Sequence, residues 1–310
     1  MYHVFLYYKI VKIKNPSKVV NIHKEICRAL QLRGRILIGK DGINGTVGGS
    51  KVALDMYKQY MDNQPMFKNI DFKESTSEIL PFSRLMIKER KEIITTDSAD
   101  EFNICNRGKH IDRDTFHSWL VKGEDMVLLD MRNDYEWDIG HFVNSVRPPM
   151  KYFRDLKDSM EFYDQFRDKK IVMFCTGGIR CEPASAYFIA KGFDTKNIYQ
   201  LEGGIVKYAE KYGDSGYYEG KCFVFDDRMS LPVNTTKDAK ILGNCLHCNC
   251  QCDIYRNCIN SMCNLMFLAC DDCMQKYANS CSAECMEITK NGEHMRPLRR
   301  SHVKVLHRNK

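Results

Sequence analysis

At 310 residues the chain is too long for one typical domain, whose core commonly stops growing at about 100–200 residues, and three domains are expected. Apolar residues make up 44% and charged residues 28%, a globular balance that argues against a disordered chain, and no run approaches the roughly 18 consecutive apolar residues of a membrane helix. Most of the +7 net charge sits at one end, where residues 291–310 hold six Lys or Arg against one Glu. The apolar opening Met1-Tyr2-His3-Val4-Phe5-Leu6-Tyr7-Tyr8 lacks a basic start and is broken by Lys9, Lys12 and Lys14. It makes a poor signal peptide, so a cytoplasmic protein is expected.

In chain order, an extended segment over 4–13 leads to a helix that Asn15 caps and Pro16 opens, with Val19, Ile22, Ile26 and Leu30 on one face. Segments 35–40 and 43–47 flank Asp41-Gly42, a hairpin signal. Ser50 then caps a helix carrying Leu54, Tyr57 and Met61, and a strand over 67–72 completes β-α-β-β-α-β. That is the pattern of ferredoxin-like and acylphosphatase-like α+β folds, from which no function follows. Residues 81–96, with Arg84, Lys88, Arg90 and Lys91, read as a basic extended connector, and the first domain is placed at 1–96.

A second domain is expected over 111–213, with strands at 126–131, 171–174 and 197–201 and helices at 183–191 and 205–212. Strands and helices alternating at these distances imply a parallel sheet covered on both faces. Residues 214–290 form an extension and a cysteine-rich segment, and 291–310 a basic tail. The tail's Arg296, Arg299, Arg300, Lys304, Arg308 and Lys310 suit either nucleic-acid phosphates or a solvated end.

The apolar strand Ile171-Val172-Met173-Phe174 delivers Cys175 to the carboxyl edge of this sheet, where α/β proteins place their ligand crevices. Behind it run Thr176, Gly177, Gly178, Ile179 and Arg180, then a helix opening near Glu182-Pro183. Two glycines free successive N–H groups to turn inward, and a helix start adds positive potential, so the loop is an anion cradle. Cysteine reacts as thiolate, and Arg180 favours that form, which makes Cys175 the candidate nucleophile. Cys181 reads as an inert residue at the helix start, with a resolving thiol as the alternative.

Ten of the 15 cysteines fall between Cys245 and Cys285, and in a reducing compartment such a cluster binds metal more often than it forms disulfides. Cys245-x2-Cys248 and Cys270-x2-Cys273 have the two-plus-two spacing of a structural zinc site; reduced thiols packing as small apolar groups are the alternative.

The Cys175 loop resembles the active loop of the rhodanese family, which carries a persulfide on its cysteine. Asp130-Met131-Arg132, with Gly140-His141-Phe142 and Asn144, is similar to a second block of that family, and Asp130, Arg132 and His141 read as structural polar residues. Related dual-specificity phosphatases enclose five residues between cysteine and arginine, whereas Cys175 and Arg180 enclose four, which disfavours phosphate monoesters. A closer resemblance covers nearly the whole chain. Gly34-Arg35-Ile36-Leu37-Ile38, Asp41-Gly42-Ile43-Asn44-Gly45-Thr46, Pro81-Phe82-x-Arg84-Leu85, the run from Cys175 to Glu182 and the cysteine-rich end together resemble the rhodanese-domain tRNA uridine hydroxylases.

The resemblance implies an oxidoreductase that forms 5-hydroxyuridine at the tRNA wobble position, with molecular oxygen as co-substrate, Cys175 as the catalytic residue and the tRNA anticodon loop as the partner. No organic cofactor motif is visible in the sequence, and zinc at Cys245, Cys248, Cys270 and Cys273 is expected to be structural. The same loop would serve a sulfurtransferase passing persulfide sulfur to an acceptor, and an inactive RNA-binding scaffold is the third reading.

Overall fold

The computed structural model describes residues 1–292, 294 and 295. In chain order the first elements are β1 (Tyr2–Ile10), α1 (Pro16–Ala29), β2 (Arg33–Gly39), β3 (Gly42–Gly49), α2 (Lys51–Asp62), β4 (Lys73–Ser77) and β5 (Leu85–Glu89). Next come β6 (Lys109–Ile111), α3 (Arg113–Lys122), β7 (Val127–Asp130), α4 (Asp134–Trp137), β8 (Gly140–Phe142), α5 (Met160–Tyr163), β9 (Ile171–Phe174), α6 (Cys181–Ala190), β10 (Ile198–Leu201) and α7 (Gly204–Tyr212). The last are β11 (Tyr218–Phe223), β12 (Ser230–Pro232), β13 (Tyr255–Asn257), β14 (Met266–Leu268), α8 (Asp271–Lys276) and α9 (Ala283–Thr289). The chain divides into two compact units, one of residues 1–134 and 144–212, the other of 135–143 and 213–310. No helix among the described residues is long and apolar enough to cross a membrane.

The first unit holds two sheets. The N-terminal one runs β4-β1-β3-β2-β5, antiparallel except where β5 joins β2 in parallel. Asn15 and Ser50 cap α1 and α2 as expected, accepting from the N–H groups of Lys18 at 3.0 Å and Ala53 at 3.2 Å. Three local expectations change. The strand placed at 67–72 lies instead at Lys73–Ser77, because Phe67 and Ile70 turn into the core from an irregular segment. Part of the connector at 81–96 is the edge strand β5, which buries Ile87 while Arg84, Lys88, Arg90 and Lys91 stay exposed.

The buried stripe of α1 is the third change: it is Val20, His23 and Cys27, with Val19, Ile26 and Leu30 packed at its flank. His23 goes inside because the Tyr57 hydroxyl sits 3.0 Å from its Nδ1, and Tyr57, Tyr60 and Phe67 present ring edges to it. Burial lowers its pKa to about 4, so the ring packs as a neutral group. The same Tyr57 hydroxyl lies 2.6 Å from that of Tyr7.

The second sheet of this unit runs β6-β10-β9-β7, and all its pairings are parallel. Strand β9 is buried at every position, as a central strand covered on both faces must be. In the other unit, β8 and β12 flank β11, and β13 pairs with β14 as a short hairpin. The two short helices that follow pack on a core in which Cys245, Cys252, Cys258, Cys273 and Cys285 join Phe267, Ala269 and Met274. The basic tail from Arg296 onward lies outside the described residues.

Replacing Tyr57 by Phe removes the hydroxyl that serves both Tyr7 and His23 and should destabilise the N-terminal sheet by about 1–3 kcal/mol. Urea unfolding of the full chain measures this, and an unchanged midpoint would refute the role given to that hydroxyl.

Candidate active site and thiol clusters

Cys175 follows β9 directly, and its side chain is fully buried. The start of the loop is tied down. Ile205 and Val206, in the first turn of α7, donate their N–H groups to the carbonyls of Cys175 and Thr176 at 3.0 and 3.1 Å. Gly204 permits this with φ +64°; a Cβ there would lie 2.3 Å from the Cys175 carbonyl. Gly178, at φ +100°, turns its N–H onto Cys175 Sγ at 3.1 Å. Thr176 and Arg180 are buried, and the guanidinium donates to Thr176 Oγ1 at 3.3 Å. Ile179 is half-buried within the same loop.

Burial alone would push the Cys175 thiol up. Donation from the Cys181 thiol, the Arg180 guanidinium and the N–H groups of Arg180 and Gly178 outweigh that and bring its pKa down to about 6. Burial together with the hydrogen bond to Cys175 drives the pKa of Cys181 far up, so its thiol keeps its proton.

A second buried anion stands beside the first. Glu182 accepts from Tyr8 Oη at 3.0 Å and pairs with Arg107 Nε at 2.8 Å and His110 Nε2 at 3.1 Å. Burial opposes its charge, but His110, Arg107 and Tyr8 hold the carboxyl below its usual range. Tyr8 belongs to β1, so the N-terminal sheet reaches the loop. Leu6, also on β1, lies 3.1 Å from where a Cβ on Gly177 would stand, and the Tyr8 hydroxyl 3.0 Å from that of Gly178. Lys73 completes this roof: it is buried, ion-paired to Asp71 at 3.0 Å, and its Nζ lies 5.5 Å from the Tyr8 ring centroid.

Asp130 and Arg132 brace the neighbouring strand end. Arg132 Nε and Nη2 donate to the two Asp130 oxygens at 2.8 and 2.5 Å, and Met131 N–H donates to the Phe174 carbonyl. Sequence reasoning assigned no role to Tyr8, Lys73 or Gly204. Gly203-Gly204 had a signal, a glycine pair between a strand and a helix. Tyr8 and Lys73 had none, since they are far from the loop in sequence.

The four cysteines expected to bind metal do come together. The Sγ atoms of Cys245, Cys248, Cys270 and Cys273 all lie within 4.8 Å of one another, Cys248 to Cys270 at 3.7 Å. The Cys270 N–H donates to Cys245 Sγ at 3.5 Å. Four thiols with N–H donors toward sulfur form a donor set that suits a tetrahedral soft metal ion.

A parallel sheet that ends in a cysteine-led, glycine-containing loop facing a helix start defines a rhodanese-type thiolate protein. Sequence models agree along the chain: the UPF0176 acylphosphatase like domain matches residues 2–93, the Rhodanese-like domain 112–211 and the Rhodanase C-terminal region 219–286. A tRNA uridine(34) hydroxylase of Chlamydia felis is 36% identical over 97% of this chain and 94% of its own length. Those of Staphylococcus saprophyticus and Bacillus cereus are 39% and 37% identical, over 94% of this chain and 92% and 91% of theirs. The chain belongs to the tRNA uridine(34) hydroxylase family.

With a pKa near 6, the thiolate fraction of Cys175 rises as pH climbs through 6 and is nearly complete at pH 7.5. Alkylation of the Cys175 peptide by iodoacetamide, followed by mass spectrometry across pH, should rise with that midpoint. Arg180→Ala and Cys181→Ala should each shift the midpoint upward. Coincident profiles for all three proteins would remove both groups from the electrostatics of the site.

Proposed function

We propose that this protein hydroxylates C5 of the wobble uridine of tRNA, giving 5-hydroxyuridine, with molecular oxygen as co-substrate and Cys175 as the nucleophile. The observation that carries the proposal is the thiolate-stabilising loop at Cys175, in a chain matching tRNA uridine(34) hydroxylases over almost its whole length. Addition of the thiolate to C6 of uracil would place the electron pair of the C5–C6 double bond on C5 as an enolate. Two-electron reduction of O2 by the external donor would give a peroxide; attack of C5 on one of its oxygens breaks the O–O bond and expels hydroxide, which becomes water on taking up the proton that C5 loses as the thiolate leaves C6. Insertion of one atom of O2 leaves the other to become water, with two electrons and two protons from an external donor.

In this reading Thr176, Gly177, Gly178, Ile179 and Arg180 hold the sulfur anionic and do not bind a phosphate. Zinc at Cys245, Cys248, Cys270 and Cys273 has a structural role, remote from the chemistry in kind: four thiolates leave no open coordination position. A tRNA substrate and reduced cysteines suit the cytoplasm.

Cells lacking the protein should lose 5-hydroxyuridine and its derivatives from tRNA, and Cys175→Ser should fail to restore them, because a serine hydroxyl is poorly ionised near neutral pH. Mass analysis of tRNA nucleosides decides this. Loss of a thiocarbonyl instead would favour persulfide transfer from Cys175, which the rhodanese-type loop would also serve, and an unchanged nucleoside profile would favour a non-catalytic RNA-binding role.

One flipped base occupies a small loop, but positioning a folded anticodon arm takes phosphate contacts over a wider surface. The exposed Arg84, Lys88, Arg90 and Lys91 and the basic tail are the proposed sources. Deleting residues 291–310 should weaken tRNA binding and flatten its salt dependence while leaving Cys175 alkylation unchanged. Equal affinity at every salt concentration, with and without the tail, would assign it to solvent.

A further inference from the structure

Besides Cys245, Cys248, Cys270 and Cys273, a second group of four thiols forms in the same unit. The Sγ atoms of Cys258, Cys263, Cys281 and Cys285 lie within 4.8 Å of one another, with 3.6 Å from Cys263 to Cys281 and 3.8 Å from Cys281 to Cys285. A tetrahedron with metal–sulfur bonds of about 2.3 Å has edges of about 3.8 Å, so the space between these sulfurs is that of one ion. A disulfide would bring two sulfurs to about 2.05 Å, and a polynuclear iron–sulfur cluster would hold its cysteines farther apart.

The surroundings repeat those of the first group. In both, an asparagine with positive φ follows the second cysteine of the leading pair: Asn249 at +60° after Cys248, and Asn264 at +58° after Cys263. In both, that asparagine closes a turn by donating its N–H to the residue four before it, Cys245 at 2.9 Å and Asn260 at 3.3 Å. In both, the trailing pair sits at the start of a short helix, Cys270 and Cys273 at α8, Cys281 and Cys285 at α9. The Asn260 amide adds a side-chain donor, 3.4 Å from Cys285 Sγ. Such N–H···S contacts spread the negative charge of metal-bound thiolates.

We propose that Cys258, Cys263, Cys281 and Cys285 are a second structural zinc site, crossed with the first. The leading pairs are 245/248 and 258/263, the trailing pairs 270/273 and 281/285, and each site joins one leading pair to the trailing pair two places on. The two sites interlock along the chain instead of following one another as beads. Zinc is the ion because its closed d shell accepts four thiolates tetrahedrally and carries no redox chemistry. Four thiols lose their protons on binding, and the ion ties β13, β14 and α9 into a unit whose core is built largely of sulfur.

The test is the metal content of the full chain, purified under reducing conditions. We expect about two zinc ions per chain, falling to about one in Cys258→Ser/Cys281→Ser and to about one in Cys245→Ser/Cys270→Ser. Wild-type protein with one zinc that only the second pair of changes removes would overturn the second site and leave the first. No zinc in any of the proteins would overturn both, and iron in place of zinc would overturn the choice of ion. Should the variants fail to fold, titration of metal-free wild-type chain with Co2+ gives an independent answer. Thiolate-to-cobalt absorption that saturates at two equivalents is expected, and saturation at one would defeat the proposal.

Discussion

Keeping a negatively charged sulfur where no water reaches it is the constraint that shapes the first unit. An uncompensated charge at such a site costs several kcal/mol, and the usual outcome is a neutral thiol with a raised pKa. Cys175 escapes that outcome because Gly178 turns an N–H inward, Cys181 gives its proton to a hydrogen bond, and Arg180 stays buried beside them. Glu182 then adds a second buried anion at the same helix start. Its partners come from three places: Arg107 and His110 before and on β6, and Tyr8 on β1. The carboxylate thus joins the N-terminal sheet to the loop by a directional polar contact, in addition to apolar packing by Leu6.

Much of this arrangement was legible because local chemistry decides it. A strand of four apolar residues, a cysteine, two glycines and an arginine admit few conformations, and the structure places β9 over the expected residues. Caps were equally readable, since Asn15 and Ser50 act on residues three positions away. Contacts between distant segments were not. His23 and Cys27 carry the buried face of α1 only because Tyr57 and Phe67 meet them there, and no window on the helix alone contains that fact. Lys73 sits at the first, inward position of β4, where a lysine reads as solvated until Asp71 and the Tyr8 ring are seen beside it.

The cysteine-rich region shows the opposite balance. Its hairpin has strands of only three residues and its helices six and seven, too little apolar surface to support a core by burial. Composition announced the solution, sulfur in place of hydrocarbon, but not the pairing, because ten cysteines in some forty positions allow many groupings. Only the folded backbone brings Cys258 next to Cys285 while keeping both away from the Cys245 group.

The roof over Cys175 carries one more implication, for the lifetime of the resting protein. Thiols that ionise readily are also the first to be oxidised, through sulfenic to irreversible sulfinic and sulfonic acids. A sulfur with a pKa near 6 would be vulnerable in any aerobic cytosol if it faced solvent. Leu6, Tyr8 and Lys73 close over the loop instead, so peroxides and alkylating reagents alike react with the sulfur only in the fraction of molecules in which that cover has opened. The same fold stabilises the thiolate and covers it, so whatever draws the cover aside also decides when the sulfur is at risk.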